Sequence, residues 1–360
     1  MTQPPRTSAG RRIGLIAGAV LLVTAAGHGG VWWWAVSTIE REVTANLAAP
    51  PLSGWQASAG TLRRGGWPLA ATVEIPALAA SGPLGNAPGD PWRWQAERMS
   101  VSIAFAHPRT LVVAVDGQQS LQAGTAPPVP FTARRLHAEV LLEPGLAPRA
   151  IAIDVTELQA RLPAGPLGLM RLEISAAQHP AAQKGEAALA VTITAQGAAV
   201  PPGWLPPGWT LGPVIERFLT DLVVTGPVPR SADLADRATA WRDGGGTVEL
   251  RRLELGWGEV TLSGAATLAL DGQLQPAGTA TARVAGHAVG LRALSAAGVL
   301  APRSAMAAGA GLALLARPPA QGGAPVVEVP FSLHNRTLAL VVLGRIPLVR
   351  VPELVWRPPP

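Results

Sequence analysis

The sequence predicts a mainly β protein in which an N-terminal transmembrane helix precedes an elongated, curved antiparallel β-sheet meander with a few short packing helices. Three observations support this fold class. An uncharged apolar segment lies near the N-terminus, apolar residues recur at every second position through much of the remaining chain, and turn-forming residues separate these segments. Strands and helices do not alternate as they do in a parallel sheet, so a nucleotide-binding crevice is not expected.

The apolar segment covers residues 13–36 and contains no charged side chain. A helix of this length, at about 1.5 Å per residue, crosses a hydrocarbon core of about 30 Å. Arg11 and Arg12 precede the segment, whereas the charges that follow it nearly balance. The positive-inside rule therefore predicts that residues 1–12 stay in the cytoplasm and that the rest of the chain is exported.

The end of this segment distinguishes an anchor from a cleaved signal peptide. A signal peptide has a shorter apolar core and a small-residue cleavage site before polar sequence. Small residues are present at 24–27, but apolar sequence resumes at Val31. Three indoles then close the segment: Trp32, Trp33 and Trp34. We therefore favour an uncleaved anchor, with the indoles at the outer membrane–water interface where tryptophan is enriched.

The composition argues against several kinds of function. Cysteine is absent, so neither a disulfide nor a thiol-based metal or catalytic site can form. The net charge of +6 comes from dispersed arginines, since Lys184 is the only lysine. No basic run of the kind that follows a phosphate backbone is present, so nucleic acid is not an expected partner. A mildly basic surface beside a bilayer would still attract anionic head groups.

Strands are predicted throughout the chain beyond Trp55. Apolar residues alternate with small or polar ones, which places the apolar side chains of each segment on one face. This pattern is typical of an antiparallel sheet with one covered face. The clearest alternating segments are Met99–Phe105, Ile151–Val155, Leu189–Ile193, Val260–Leu270 and Val327–Leu333.

Turns and one bulge are predicted between and within these strands. Asp116-Gly117, Asp271-Gly272 and Asn335 occur where a reversal needs residues that tolerate positive φ. The apolar phase of Val248–Leu255 slips across Arg251-Arg252, which is typical of a bulge that bends a long strand. Many short reversals in sequence predict a meander.

Helical signals are few and lie in the second half of the chain. The 3.6-residue period predicts one helix after Pro213, and capping residues predict a second from an N-cap at Ser231 to just before Gly244. Two more are predicted near Ala288–Val299 and Ser304–Ala316. The last is too short to span a membrane and is interpreted as a packed or interfacial helix.

A segment rich in proline and tryptophan, residues 200–213, divides the exported part. Its prolines favour extended, unpaired backbone, so it is predicted to be a semi-rigid connector between a first half at 37–199 and a second half at 214–360. Its Trp204 and Trp209 could dock a partner that has an aromatic groove. Packing of both indoles back onto the sheet is the favoured interpretation.

No constellation of catalytic residues stands out, and we do not expect an enzyme or a cofactor. The histidines lack the spacing of a zinc-binding helix, and neither a nucleophile elbow nor a dinucleotide fingerprint is intact. Asp154 with Glu157, or Glu249 with Glu254, could act as general acid and base. Solvated carboxylates on a strand face are far commoner and are the favoured interpretation.

Several short motifs resemble the bacterial domain-of-unknown-function 2125 family, whose members carry one N-terminal membrane span and a large exported region. These motifs are Trp55, Gly60, Gly66-Trp67-Pro68, Trp94, the strand Met99–Phe105, Pro108 and the closing Leu343–Leu348. The second half, from Trp241 to Gly286, is also similar to the repeating strands of AsmA-like envelope proteins. That similarity implies an elongated, curved sheet with an apolar inner face, associated with lipid handling between membranes.

Together these observations lead to one functional hypothesis and one alternative. We predict a single-pass protein of the bacterial inner membrane whose periplasmic β region binds membrane lipid or another acyl-bearing ligand in envelope maintenance or assembly. The alternative is a scaffold with a closed core that binds an envelope protein. An apolar face must be buried in a core or in a ligand groove, and the two hypotheses differ in which occurs. The candidate lipid-facing residues are Val101, Ile103, Phe105, Leu262 and Leu268.

Overall fold

The computed structural model describes seven stretches of the chain: residues 8–50, 54–83, 91–143, 148–229, 233–317, 325–341 and 345–356. Within them the chain forms four α-helices, one 3-10 helix and 17 strands that belong to one antiparallel sheet. The predicted mainly β fold is therefore confirmed.

The helices are α1 Ser8–Ala48, α2 Leu234–Asp243, α3 His287–Ala296 and α4 Pro302–Leu315, and the 3-10 helix is Pro202–Trp204. The strands of the first half are β1 Gln56–Ser58, β2 Arg63–Gly65, β3 Ala70–Gly82, β4 Trp92–Ala104, β5 Thr110–Ala123, β6 Val129–Thr132, β7 Arg135–Leu142, β8 Pro148–Leu162, β9 Gly165–Gln178 and β10 Ala187–Ala199. Those of the second half are β11 Val214–Thr225, β12 Val248–Trp257, β13 Val260–Leu270, β14 Pro276–Ala285, β15 Val326–His334, β16 Thr337–Val341 and β17 Arg345–Arg350.

The strands pair in sequence order, as expected for a meander. At two positions of the sheet, two short strands together take the place of one long strand. Strands β1 and β2 both pair with β3, and β6 and β7 both lie between β5 and β8. From β8 to β17 each strand pairs with the next. Because β10 pairs with β11, the two halves of the region after α1 share one sheet.

The connector at 200–213 is a loop whose two ends lie side by side. The N–H of Val200 donates to the carbonyl of Pro213 at 2.7 Å. The ring of Trp209 packs on the ring of Trp257 with centroids 4.8 Å apart, whereas Trp204 is exposed. The prediction that both indoles return to the sheet is thus right for Trp209 and wrong for Trp204.

The helix predicted after Pro213 is instead strand β11, so that prediction was wrong. Its apolar residues fit a helical period, but the segment pairs with β10 on one side and β12 on the other. Hydrogen bonds to two neighbouring strands override a local period of this length. The other three predicted helices are confirmed as α2, α3 and α4. Ser231 lies outside the described residues, and the N-cap of α2 is Asp233.

The predicted turns at Asp271-Gly272 and Asn335 are confirmed, and so is the bulge at Arg251-Arg252. The turn predicted at Asp116-Gly117 is wrong, because both residues lie inside β5. Gly117 has a φ of +82° at a point where the register of β5 shifts opposite Glu97. A positive φ serves a bulge as well as a reversal, which explains the error.

Helix α1 continues past the predicted end at residue 36 and packs its C-terminal half on the sheet. Val36 and Ile39 of the helix are buried against β3 and β4. Nearer the N-terminal end of the helix, residues 20–23 are exposed. The buried cluster consists of Val36, Ile39, Ala71, Val73, Ile75, Leu78 and Val101.

Candidate functional site

The register of the sheet aligns the apolar side chains of successive strands into rows on one face, because residues that pair across strands project to the same side. The central row is Val73, Val101, Val113, Ala138, Ile153, Ile174, Ile193, Thr220, Leu253, Gly264, Ala282 and Val329. A second row beside it is Ile103, Leu111, Val140, Ile151, Ala176, Val191, Leu222, Leu250, Ala266, Ala280 and Phe331. We call the side that carries these rows the apolar face.

The opposite side of the sheet is polar and carries ion pairs between neighbouring strands. Asp154 forms an ion pair with Arg135 at 3.3 Å and lies 3.5 Å from Arg171. Farther along, Arg283 pairs with Glu328 at 2.8 Å. A cavity of about 380 Å³ lies over this side near Asp154. These charges keep the polar side in contact with water.

The carboxylates considered as general acids and bases are held by arginines. Glu157 pairs with Arg134 at 3.1 Å, and Glu249 pairs with Arg251 at 3.0 Å. Glu254 is bound by the guanidinium of Arg217 at 3.0 Å and also by Arg252. Each of these carboxylates therefore takes part in an ion pair on the surface of the sheet, as Asp154 does. In the part of the chain that the structure describes, no three His, Asp or Glu side chains are grouped so that they could hold a metal ion.

Helices cover the apolar face at both ends of the sheet. Helix α1 packs over β3, and the neighbouring side chains Met99 and Val113 pack against the same cluster. Toward the other end, α3 contacts β13 and α4 contacts β15, where Val327 and Val329 are buried. The 3-10 helix contacts β9 at its Gly165 end.

Between these ends lies the uncovered middle, which we define as the part of the apolar face on β7–β12. The contacts of the four α-helices fall mainly on β1, β3, β13 and β15. Of the row residues and their same-face neighbours on β7–β12, Val155 is buried, whereas the isoleucines of the central row are partly exposed. The aliphatic side chains at the centre of the sheet therefore stay partly exposed.

The surface area of the whole chain agrees with an open sheet. The chain exposes 22640 Å² of accessible surface. A compact monomer of its mass, 37.0 kDa, would expose about 13,600 Å². The exposed residues 20–23 of α1 and the partly exposed middle of the sheet both contribute to this excess.

The five candidate lipid-facing residues fall into two places on the apolar face. Val101 is buried beneath α1 with 7% of its surface exposed, and Ile103 and Phe105 pack partly buried against the same cluster. Leu262 and Leu268 lie on β13, half-buried beside the region that α3 and α4 cover. Lipid contact at these positions stays a prediction.

Sequence reasoning missed the residues that are open at the centre, such as Ile153, Ile174 and Ile193. The alternation around Ile153 and Ile193 was recognised and predicted strands correctly, whereas the strand that carries Ile174 was not among the predicted segments. Nothing in the alternation distinguishes a strand that a helix covers from one that stays open, because both have the same period.

The predicted anchor residues also divide into two groups. Trp32 faces the sheet, since its indole N–H donates to the carbonyl of Ala70 at 3.0 Å and its ring meets that of Trp67 edge-on. Trp33 and Trp34 are exposed, and the guanidinium of Arg64 lies over the Trp33 ring. Arg11 and Arg12 belong to α1, but their side chains lie outside the described part.

The fold and the site define a mainly β protein with one N-terminal helix that is long and apolar enough to cross a membrane. Residues 32–352 match the family described as uncharacterized proteins conserved in bacteria (DUF2125), and the chain belongs to this family. The match covers nearly the whole chain and confirms the resemblance drawn from short motifs. It begins at Trp32, where α1 docks on the sheet.

Comparisons with curated proteins and with solved structures gave no match. The similarity to AsmA-like envelope proteins has no support from these comparisons and stays a prediction.

Proposed function

We propose that this protein is a non-enzymatic component of the bacterial envelope that binds acyl chains of membrane lipids along the uncovered middle. In this proposal α1 spans the inner membrane and holds the sheet on the periplasmic side. The observation that carries it is the aliphatic central row on β8–β10, which consists of Ile153, Ile174 and Ile193. Within the described residues, the α-helices make their main contacts with other strands.

The dimensions of the uncovered middle suit an acyl chain. Strands β7 to β12 are separated by five strand spacings, and at about 4.8 Å each these give a path of about 24 Å across the face. One leaflet of the hydrocarbon core is about 15 Å thick, half of the usual 30 Å. A single chain could therefore lie across the strands in contact with one row.

A contiguous exposed apolar patch is a recognised mark of a binding site, and aliphatic side chains of the uncovered middle are partly exposed on neighbouring strands. Each methylene that a ligand removes from water contributes about 0.8 kcal/mol, so an acyl chain laid along a row gains affinity over its whole length. The ion pairs of the other side, such as Arg171 with Glu173, offer no comparable apolar contact. A lipid is therefore expected on the apolar face.

The location proposed for the sheet follows from the charges beside α1. Arg11 and Arg12 precede the apolar segment, and cytoplasmic flanks are enriched in such residues. A sheet tethered to the outer surface of the inner membrane has lipid directly available to it. This nearness supports a role in envelope maintenance or assembly.

Two adjacent residues of β9 allow a controlled test. Ile174 lies in the central row, whereas Ser175 projects to the polar side. The full-length protein and its Ile174→Asn and Ser175→Asn variants would be purified in the same detergent, and their bound lipid measured by mass spectrometry per mole of protein. Lipids that surround α1 are common to all three proteins, so differences report on the sheet.

We expect Ser175→Asn to retain the lipid of the parent protein and Ile174→Asn to lose most of the sheet-bound fraction, because a buried amide without a partner costs about 1–3 kcal/mol. Circular dichroism would establish that both variants fold. Equal lipid in all three folded proteins would contradict the proposal. A parent protein free of sheet-bound lipid that retains one protein partner would support the scaffold instead.

A further inference from the structure

We infer that the turn between β2 and β3 enters the same bilayer as α1 and forms a second contact with the membrane. This inference rests on the membrane anchoring proposed above and adds a site to it. We call the exposed side chains involved the membrane-facing tip, which consists of Trp33 and Trp34 of α1 and Trp67 and Leu69 of the turn. The occupant of this surface is the head-group and upper acyl region of the bilayer.

The turn is fixed against α1 at a defined height. His28 Nε2 donates to the carbonyl of Pro68 at 2.7 Å, and the His28 ring lies 4.9 Å from the ring of Trp67 and 5.2 Å from that of Phe105. Trp32 adds its hydrogen bond to Ala70 one turn later. The end of the sheet therefore reaches down the helix as far as His28.

Helix geometry gives the depth of this contact. From Arg12 to His28 the helix rises about 24 Å, and from Arg12 to Trp34 about 33 Å. If Arg12 lies at the inner interface, Trp34 reaches the outer interface of a core about 30 Å thick, and His28 lies below it. The turn bound to His28 must then lie at the upper acyl level. The predicted span of residues 13–36 and the docked sheet overlap in this layer.

The chemistry of the turn suits that layer. Trp67 is 50% exposed and Leu69 is 79% exposed, although both are large apolar residues. No residue between Gly66 and Leu69 carries a charge. Residues 20–23 of α1, which the bilayer must cover if α1 spans it, are exposed and apolar as well. Tryptophan is enriched at this level of a membrane.

Basic residues occur in the segments next to the apolar tip. Arg63 begins β2, Arg109 lies between β4 and β5, and both are exposed. Arg64 lies over the ring of Trp33 with its guanidinium carbon 4.4 Å from the ring centroid, and it also donates to Glu40 at 2.8 Å. Arginines at this height would meet anionic head groups, each with about 1 kcal/mol of attraction.

The turn is held by backbone hydrogen bonds within the protein. Its backbone is closed by hydrogen bonds from the N–H groups of Leu69 and Ala70 to the carbonyl of Gly66. The carbonyl of Leu69 in turn accepts from Phe105 N at 3.1 Å. An ordered turn that presents Leu69 to the outside loses little conformational entropy when it inserts.

The absence of cysteine in the natural sequence permits a direct measurement of depth. Single-cysteine variants of the full-length protein, Leu22→Cys, Leu69→Cys and Met170→Cys, would be labelled with a polarity-sensitive fluorophore. They would then be reconstituted in vesicles of phosphatidylethanolamine and phosphatidylglycerol. Quenching would be compared for lipids that carry a nitroxide at the head group or deep in the acyl chain. All three native side chains are largely exposed, so labelling should not disturb the fold.

We expect the Leu69 label to be quenched by the head-group nitroxide at least about twofold more than the Met170 label, which lies far along the sheet, because the tip occupies the interface. The Leu22 label should respond to the deep nitroxide. A Leu69 label as unquenched as that of Met170, beside a quenched Leu22 label, would overturn the inference and leave the anchor intact. An unquenched Leu22 label would overturn membrane anchoring itself.

Discussion

The sheet beneath α1 and the sheet at β7–β12 carry the same alternating pattern but have different degrees of burial. Val73 of the first region is 0% exposed, whereas Ile174 belongs to the same central row and is partly exposed. The two residues are joined by an unbroken series of cross-strand pairs. The difference arises from what covers the row, and it teaches that one continuous face can be a buried core at one end and stay partly exposed at its centre.

Introducing a charge should give the largest difference in the free energy of unfolding between the two regions. Val73→Asp places a carboxylate under α1, where water is excluded, and should lower the free energy of unfolding by about 4 kcal/mol. Ile174→Asp should cost about 1 kcal/mol, because its carboxylate stays in contact with water. Urea unfolding of the full-length protein in detergent, followed by circular dichroism, would measure both. Equal losses would mean that the centre of the sheet is as closed as its end.

Substitution by alanine should again destabilise the protein more beneath α1 than at β7–β12, with a smaller difference between the two regions. Ile75 is buried against α1, and Ile75→Ala should cost about 3 kcal/mol through lost contacts and a cavity. Ile193 is partly exposed on β10, and Ile193→Ala should cost about 1 kcal/mol. The same unfolding measurement applies. A greater loss for Ile193 would show that another part of the chain covers the centre.

The turn that docks on α1 offers a third test with an adjacent control. Gly66 has a φ of +87°, and a Cβ there would lie 2.6 Å from the carbonyl oxygen of Ala70. Gly66→Ala should therefore cost about 1–3 kcal/mol. Gly65→Ala meets nothing within 4 Å and should be close to neutral. If both substitutions have the same effect, the turn does not depend on the conformation of Gly66.

The local sequence pattern predicted most elements of the fold. It failed where the same pattern is compatible with two different local structures. The strand β11 has apolar residues that also fit a helical period, and its pairing with β10 and β12 decides between the two. Asp116-Gly117 suits a turn or a bulge equally well, and the register with β4 makes it a bulge. In both cases the deciding contacts come from residues distant in sequence.

The candidate site was predictable only in part for the same reason. Alternation identified which residues share a face, so Leu262 and Leu268 were correctly expected on the apolar side of their strand. It could not identify Val101 as a residue beneath a helix. That contact joins β4 to a segment of α1 more than fifty residues earlier, for example at Val36.

The sequence alone determined that this protein has an apolar N-terminal helix, that strands form most of the rest and that each strand has one apolar side. These properties depend on composition and on a two-residue period, which neighbouring residues specify. Only the tertiary structure decided that the rows join across a single sheet, that α1 covers one end and that β7–β12 remain open. Coverage depends on contacts between segments far apart in the chain, and no local period records them.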